Sequence, residues 1–231
     1  MSVCPRGERF RLPETPDYAR EGERLRGLVA AHRRQGREVV VVMGVGFVGA
    51  IMAGVVADSV DRKTGAPGKF VIAMQRPSPR SYWKIQYLNR GEAPVQAEDP
   101  EVVPLIRRTV LEKQTLTATF TYEALELADV VVVDVQCDYV KDALQDMRRG
   151  HADIAALEES FKVIGERIRP DCLVLVETTV SPGTCEKIAY PILQQAFAAR
   201  AQSGQGARGP GGEGEGGPQV PEPLIAHSYE R

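Results

Sequence analysis

Three glycines stand in the pattern Gly44-Val45-Gly46-Phe47-Val48-Gly49, directly after the apolar run from Glu38 to Met43 and before the helix-like stretch from Ala50 to Val56. Between a strand and a helix, that spacing has a definite chemistry. The first glycine permits a tight turn, the second lets the backbone approach a diphosphate, and the third lets the helix pack closely on the strand. Amides opening the helix then meet phosphate oxygens, aided by the helix dipole. Gly44, Val45, Gly46, Phe47, Val48 and Gly49 are therefore expected to hold a dinucleotide; a tight turn with no ligand is the competing reading. At the end of the following strand, where an NAD site usually carries Asp or Glu for the ribose hydroxyls, stand Gln75 and Arg76. Gln75 can accept a hydroxyl proton, so NAD is the expected cofactor. Arg76, with Arg80, suits a 2′-phosphate and leaves NADP open, as it leaves open a plain solvated arginine.

Such a loop needs a parallel sheet to present it. After Glu38, the run to Met43 is continuously apolar, as suits a strand buried on both faces. Further strands are expected at Phe70 to Met74, Thr115 to Phe120, Val130 to Val135, Cys172 to Val176 and Leu224 to Ala226. Helical spacing marks Asp17 to Arg37, where Gly36 is placed to end the helix, and also Pro100 to Lys113 and Ala152 to Ile168. Ser181-Pro182 reads as an N-cap and first helical residue. Strands alternating with helices imply an α/β fold: a doubly wound, mostly parallel Rossmann-type sheet with helices on both faces. The organisation expected is an N-terminal helical extension over 1–37, an NAD-binding Rossmann domain over 38–200, a disordered Gly/Pro-rich loop over 201–223, and the last strand of the domain over 224–231.

Composition narrows the partners. The 231 residues carry a net charge of -2, which argues against nucleic acid or an anionic membrane as a global partner. No stretch approaches the roughly 18 apolar residues of a membrane span, and the start lacks a signal core, so a cytoplasmic protein is expected. Cys4, Cys137, Cys172 and Cys185 are too scattered for a zinc knuckle or redox pair, and His32, His151 and His227 stand apart, so no metal is expected.

Several segments resemble the nucleotide-sugar 6-dehydrogenase family, whose members oxidise UDP- or GDP-linked hexoses to uronates with two molecules of NAD. Beyond the glycine pattern, Leu88 to Val95 with Glu98 is similar to the family's "N.G..P..E", and Thr117 to Asp129 resembles its "aT.d...a..aDv". Glu177-Thr178-Thr179-Val180-Ser181-Pro182-Gly183-Thr184 is similar to "STVPPGT" at the end of the fifth strand. The resemblance implies that Thr179 holds a water near the substrate and that Glu177, Thr179, Val135 and Gln136 line the cofactor. His227 to Arg231 resembles the "PER" segment, which gives Glu230 an acid/base role near the reacting carbon.

The departures are specific. Val135-Gln136-Cys137-Asp138 stands where the family has "VPTP", and Cys137 is better read as a small strand-end residue than as a nucleophile. The family's nucleophilic cysteine lies in a later "GG.C.P" segment that is absent here, with the linking helix and substrate domain. The chain is thus expected to be the N-terminal, NAD-binding part of a nucleotide-sugar dehydrogenase, truncated before its substrate domain and inactive alone. Exposed apolar area would then favour a homo-oligomer or completion by the missing region. The alternatives are a two-domain hydroxy-acid dehydrogenase and a non-catalytic dinucleotide-binding fragment or subunit.

Overall fold

The computed structural model describes residues 1–141, 150–203 and 220–228, which form two compact units divided between Asp134 and Val135. The first unit opens with a short antiparallel pair, β1 (Ser2–Val3) and β2 (Arg9–Phe10), then a long helix, α1 (Thr15–Arg34). Asp17 starts that helix by accepting the Glu14 amide at 2.8 Å, and Gly36, at φ +75, ends it. Then come β3 (Glu38–Met43), α2 (Phe47–Asp58), β4 (Lys69–Met74), α3 (Tyr82–Asn89) and α4 (Val102–Arg107), which runs on into a π-turn at Arg108–Glu112. β5 (Leu116–Thr119), a 3-10 turn (Tyr122–Leu127) and β6 (Val130–Val133) complete the unit.

Its four long strands are parallel and lie in the order β6-β3-β4-β5, with Val40 opposite both Val71 and Val130. β3 starts the sheet and the chain then winds outward on both sides of it, as in the first half of a doubly wound fold. Five of six residues in β3 and in β4 are buried, which accounts for their unbroken apolar character. α2 buries Gly49, Ala50, Ala53, Gly54 and Ala57, small residues that let its neighbours come close; Gly54 lies against Leu105 and Ile106 of α4.

α1 docks through Leu25, Val29 and His32, and the imidazole of His32 stacks on Phe70 at 3.8 Å. Burial, reinforced by the Arg37 guanidinium at Nδ1, holds the His32 pKa below its ordinary value. Arg33 binds Asp129, whose other oxygen accepts the Val39 amide at 2.8 Å, so one carboxylate ties helix, β3 and the entry to β6. At the outer margin, the Asn89 amide pairs with β5 as a neighbouring strand would. Its Oδ1 accepts from the Ala118 amide at 2.7 Å and its Nδ2 donates to the Ala118 carbonyl at 3.0 Å.

The second unit contains an antiparallel hairpin of β7 (Asp138–Lys141) and β8 (Gly150–Asp153), then α5 (Ala155–Arg167) and β9 (Leu173–Val176). A π-turn (Cys185–Ala189) leads into α6 (Tyr190–Gln202), and β10 (Leu224–His227) lies parallel to β9. α5 and α6 meet closely at Gly165, and Arg200 donates to the Gly165 and Ile168 carbonyls at the end of α5.

The α/β, doubly wound, Rossmann-type class expected from the sequence is the one found. Several local expectations differ. α5 begins at Ala155 rather than Ala152, because Ala152 and Asp153 pair with Tyr139 and Asp138 in the hairpin. Ser181-Pro182 does not open a helix: Gly183, at φ +86, turns the chain, and the Thr184 hydroxyl donates to the Ser181 carbonyl at 2.7 Å. Most of the loop expected over 201–223, and the end of the expected last strand, lie outside the described residues. Among the described residues no helix is long and apolar enough to cross a membrane.

Candidate functional site

The loop between β3 and α2 meets each of the three demands made of its glycines. Gly44 sits at φ +111, a conformation that a side chain disfavours, and its amide donates to the Met74 carbonyl at 2.9 Å. A methyl group on Gly49 would overlap the Gly44 carbonyl oxygen and lie 2.6 Å from Asp134 Oδ2, so only glycine lets α2 seat on β3. At Gly46 the same methyl would find its nearest neighbour 4.0 Å away, which leaves the backbone open to approach from outside. Gly46 is the N-cap of α2; no side chain caps it and the first turn carries no carboxylate. The amides of Phe47, Val48 and Gly49 therefore lack partners within the helix and carry its positive end. This backbone fits the diphosphate of a dinucleotide.

Val45, buried behind the loop, is held from two sides. Gln75 Oε1 accepts its amide at 2.8 Å, and Lys84 Nζ donates to its carbonyl at 3.0 Å. The structure thus places Gln75 against the glycine loop, with its oxygen engaged by the backbone there rather than by any ribose hydroxyl. Arg76 is exposed; its carbonyl accepts the Ser81 hydroxyl at 3.0 Å. Lys84 was not singled out by its sequence pattern, since a lone lysine in an amphipathic stretch carries no signal of contact to a loop far back in the chain. Asp134 was likewise missed. It ends the β6 segment, and its carboxylate stands beside the start of α2, where the helix dipole favours it.

The second unit holds the remaining expected residues. Thr178, buried, locks the Val135 backbone: its hydroxyl accepts the Val135 amide at 3.0 Å and donates to the Val135 carbonyl at 2.9 Å. Glu177 is buried beside it, whereas Thr179 is exposed. Gln136 is exposed and its side-chain amide donates to Asp138 at 2.7 Å. Burial and the neighbouring carboxylates of Asp138 and Asp153 raise the Cys137 pKa, which disfavours a thiolate there. The Cys185 thiol is also pushed up by burial; it lines a cleft of about 280 Å³ with Tyr190, Ile225 and His227. Glu230 lies outside the described residues.

Residues 38–207, more than half of the chain, match the model of the NAD binding domain of the UDP-glucose/GDP-mannose dehydrogenase family. The GDP-mannose 6-dehydrogenase of Pseudomonas putida is 24% identical over 165 residues, which make up 70% of this chain and 33% of that protein. The chain thus spans about a third of the length of the curated relatives it matches. Among solved structures, an NDP-N-acetyl-D-galactosaminuronic acid dehydrogenase from Methanosarcina mazei Go1 matches with a TM-score of 0.64 at 26% identity, over 90% of this chain and 37% of that one. A GDP-mannose dehydrogenase from Pseudomonas aeruginosa, solved as a ternary complex, matches with a TM-score of 0.56 at 25% identity, over 68% and 32% respectively.

Proposed function

Because the chain belongs to the UDP-glucose/GDP-mannose dehydrogenase family through its NAD binding domain, we propose that it supplies the cofactor side of an enzyme that oxidises a UDP- or GDP-linked hexose. The observation that carries this reading is the open Gly46 backbone between a left-handed Gly44 and a tightly packed Gly49. The amides of Phe47, Val48 and Gly49 bind the diphosphate, and Gln75 and Lys84 keep the loop in the conformation that presents them. A bound nicotinamide would supply the hydride acceptor for oxidation of the substrate alcohol. Val135, Gln136 and Glu177 flank the cofactor, the Thr179 hydroxyl holds water for the substrate side, and the Glu230 carboxylate takes the alcohol proton.

Oxidation beyond the aldehyde needs a thiolate. Cys4 and Cys172 are buried, while the pKa values of Cys137 and Cys185 are raised, so none of these four thiols suits that step. The thiol and the contacts that read the sugar and the base are assigned to residues other than those of this chain, and catalysis is expected only when they are supplied. Calorimetric titration with NAD, GDP-mannose and UDP-glucose tests the reading. Saturable NAD binding is expected. The absence of any heat with NAD at millimolar concentration would remove the cofactor role and the family activity with it.

A further inference from the structure

A cleft of about 390 Å³ lies in the first unit, bounded by α1 and α3 and by the residue that follows β5, and no residue of the glycine loop lines it. Most of its lining precedes Glu38, where the match to the family's NAD binding domain begins. Its walls are of three kinds. Phe10, Tyr82 and Phe120, all buried, supply ring surface. Asp17 and Glu21, four residues apart on one face of α1, supply carboxylates, and Arg20 with Arg11 supplies guanidinium groups.

Burial orders these charges by depth. The side chains of Asp17 and Glu21 are 17% and 12% exposed, whereas those of Arg11 and Arg20 are 57% and 74% exposed, so the carboxylates lie inward and the arginines form the rim. The phenol of Tyr82 feels the same order: burial, and then the Asp17 and Glu21 carboxylates, raise its pKa. The ion pairs of the cleft leave capacity at both depths. Asp17 Oδ1 accepts from Arg20 alone and Glu21 Oε2 from Arg24 alone, although each oxygen can take two donors. Gln86 donates to the Tyr82 hydroxyl at 2.9 Å, and among the described residues its own carbonyl oxygen accepts nothing. Arg20 spends one nitrogen on Asp17 and has its other N-H groups open at the rim.

Inner acceptors suit a cationic donor, rim guanidinium groups suit a carboxylate, and the rings suit apolar bulk. An anion alone would leave the inner carboxylates unopposed, and a cation alone would have to pass the arginines. We propose that this cleft binds a free α-amino acid with an apolar side chain, its ammonium on Asp17, Glu21 and Gln86, its carboxylate on Arg20 and Arg11, and its side chain against Phe10, Tyr82 and Phe120. The inference is independent of the dinucleotide reading.

Calorimetric titration of the full chain compares L-phenylalanine with phenethylamine, which lacks the carboxylate, and 3-phenylpropionate, which lacks the ammonium. Saturable binding of L-phenylalanine is expected, with each analogue weaker by about tenfold or more for the charged contact it has lost. Arg20→Gln, at the exposed rim, is expected to weaken L-phenylalanine about tenfold and to move the melting temperature by less than about 4 °C, as fits the loss of one exposed ion pair. Tyr82→Phe, which keeps the ring and removes the hydroxyl that Gln86 engages, is expected to weaken it about threefold or more. No heat with L-phenylalanine at millimolar concentration overturns the inference. So does an analogue that binds within tenfold of L-phenylalanine, which would mark a site for a lone anion or a lone cation, and so does parental affinity in both variants.

Discussion

Alanine at Gly49 and alanine at Gly46 are expected to do damage of different kinds, although the two residues belong to one loop. At Gly49 the new methyl would overlap the Gly44 carbonyl oxygen and lie 2.6 Å from Asp134 Oδ2. The carbonyl belongs to the backbone and cannot swing aside, so α2 must lift from β3. Overpacking of that kind costs about 3 kcal/mol, and the helix preference of alanine over glycine returns about 1 kcal/mol. The net of about 2 kcal/mol corresponds to a melting temperature lower by about 4 to 8 °C for a chain of this size.

At Gly46 the methyl meets nothing closer than 4.0 Å, and the expected loss of stability is under about 1 kcal/mol, the difference between glycine and alanine at an N-cap. It projects, however, into the space a diphosphate must enter, and NAD binding is expected to fall about tenfold or more. Thermal melts followed by circular dichroism, paired with calorimetric titration of NAD, separate the two effects. Parental NAD affinity in Gly46→Ala, or a parental melting temperature in Gly49→Ala, would refute the division of labour among the glycines.

Asp134→Asn removes a negative charge beside the start of α2 and is expected to tighten NAD binding about fivefold, equivalent to roughly 1 kcal/mol of relieved repulsion; calorimetry reads the change, and weaker binding would show that the carboxylate assists the ligand. Asn89→Ala strips the hydrogen bonds that finish β5 and is expected to cost about 1 to 2 kcal/mol, with faster hydrogen exchange at the Ala118 amide as its signature. His32 is held neutral in the fold because its pKa is depressed, while the unfolded chain protonates near pH 6.5. Its contribution to stability is therefore complete above that pH and is lost as pH falls through the lower, folded value. Denaturant melts between pH 7 and 5 are expected to show this loss and to show less of it in His32→Phe; identical pH profiles for the two would disprove the assignment.

Long apolar runs such as Glu38 to Met43 were legible because a strand covered on both faces must be apolar throughout, and the glycine pattern because each position answers a separate steric demand. Features set by distant partners were not. The hairpin of β7 and β8 takes Ala152 and Asp153 from what local periodicity assigns to a helix, and nothing near them in sequence reports the pairing. Ser181-Pro182 has the residue types of a helix start, but the positive φ of Gly183 closes a separate turn there, and the helical stretch starts only at Thr184. Adjacent threonines pose the same difficulty in smaller form. Successive side chains at a strand end point to opposite sides, and only the structure tells that Thr178 turns toward Val135 while Thr179 stays exposed. Lys84 acts on Val45 across 39 residues of chain, beyond the reach of any local pattern.

The amide of Asn89 has a consequence for how these molecules behave when crowded. An open strand margin offers a template on which another chain can add its own backbone, and repeated addition builds aggregates. Here the acceptor and donor of Ala118 that a newcomer would need are already taken by a short side chain from α3, so encounters at this border end without a foothold.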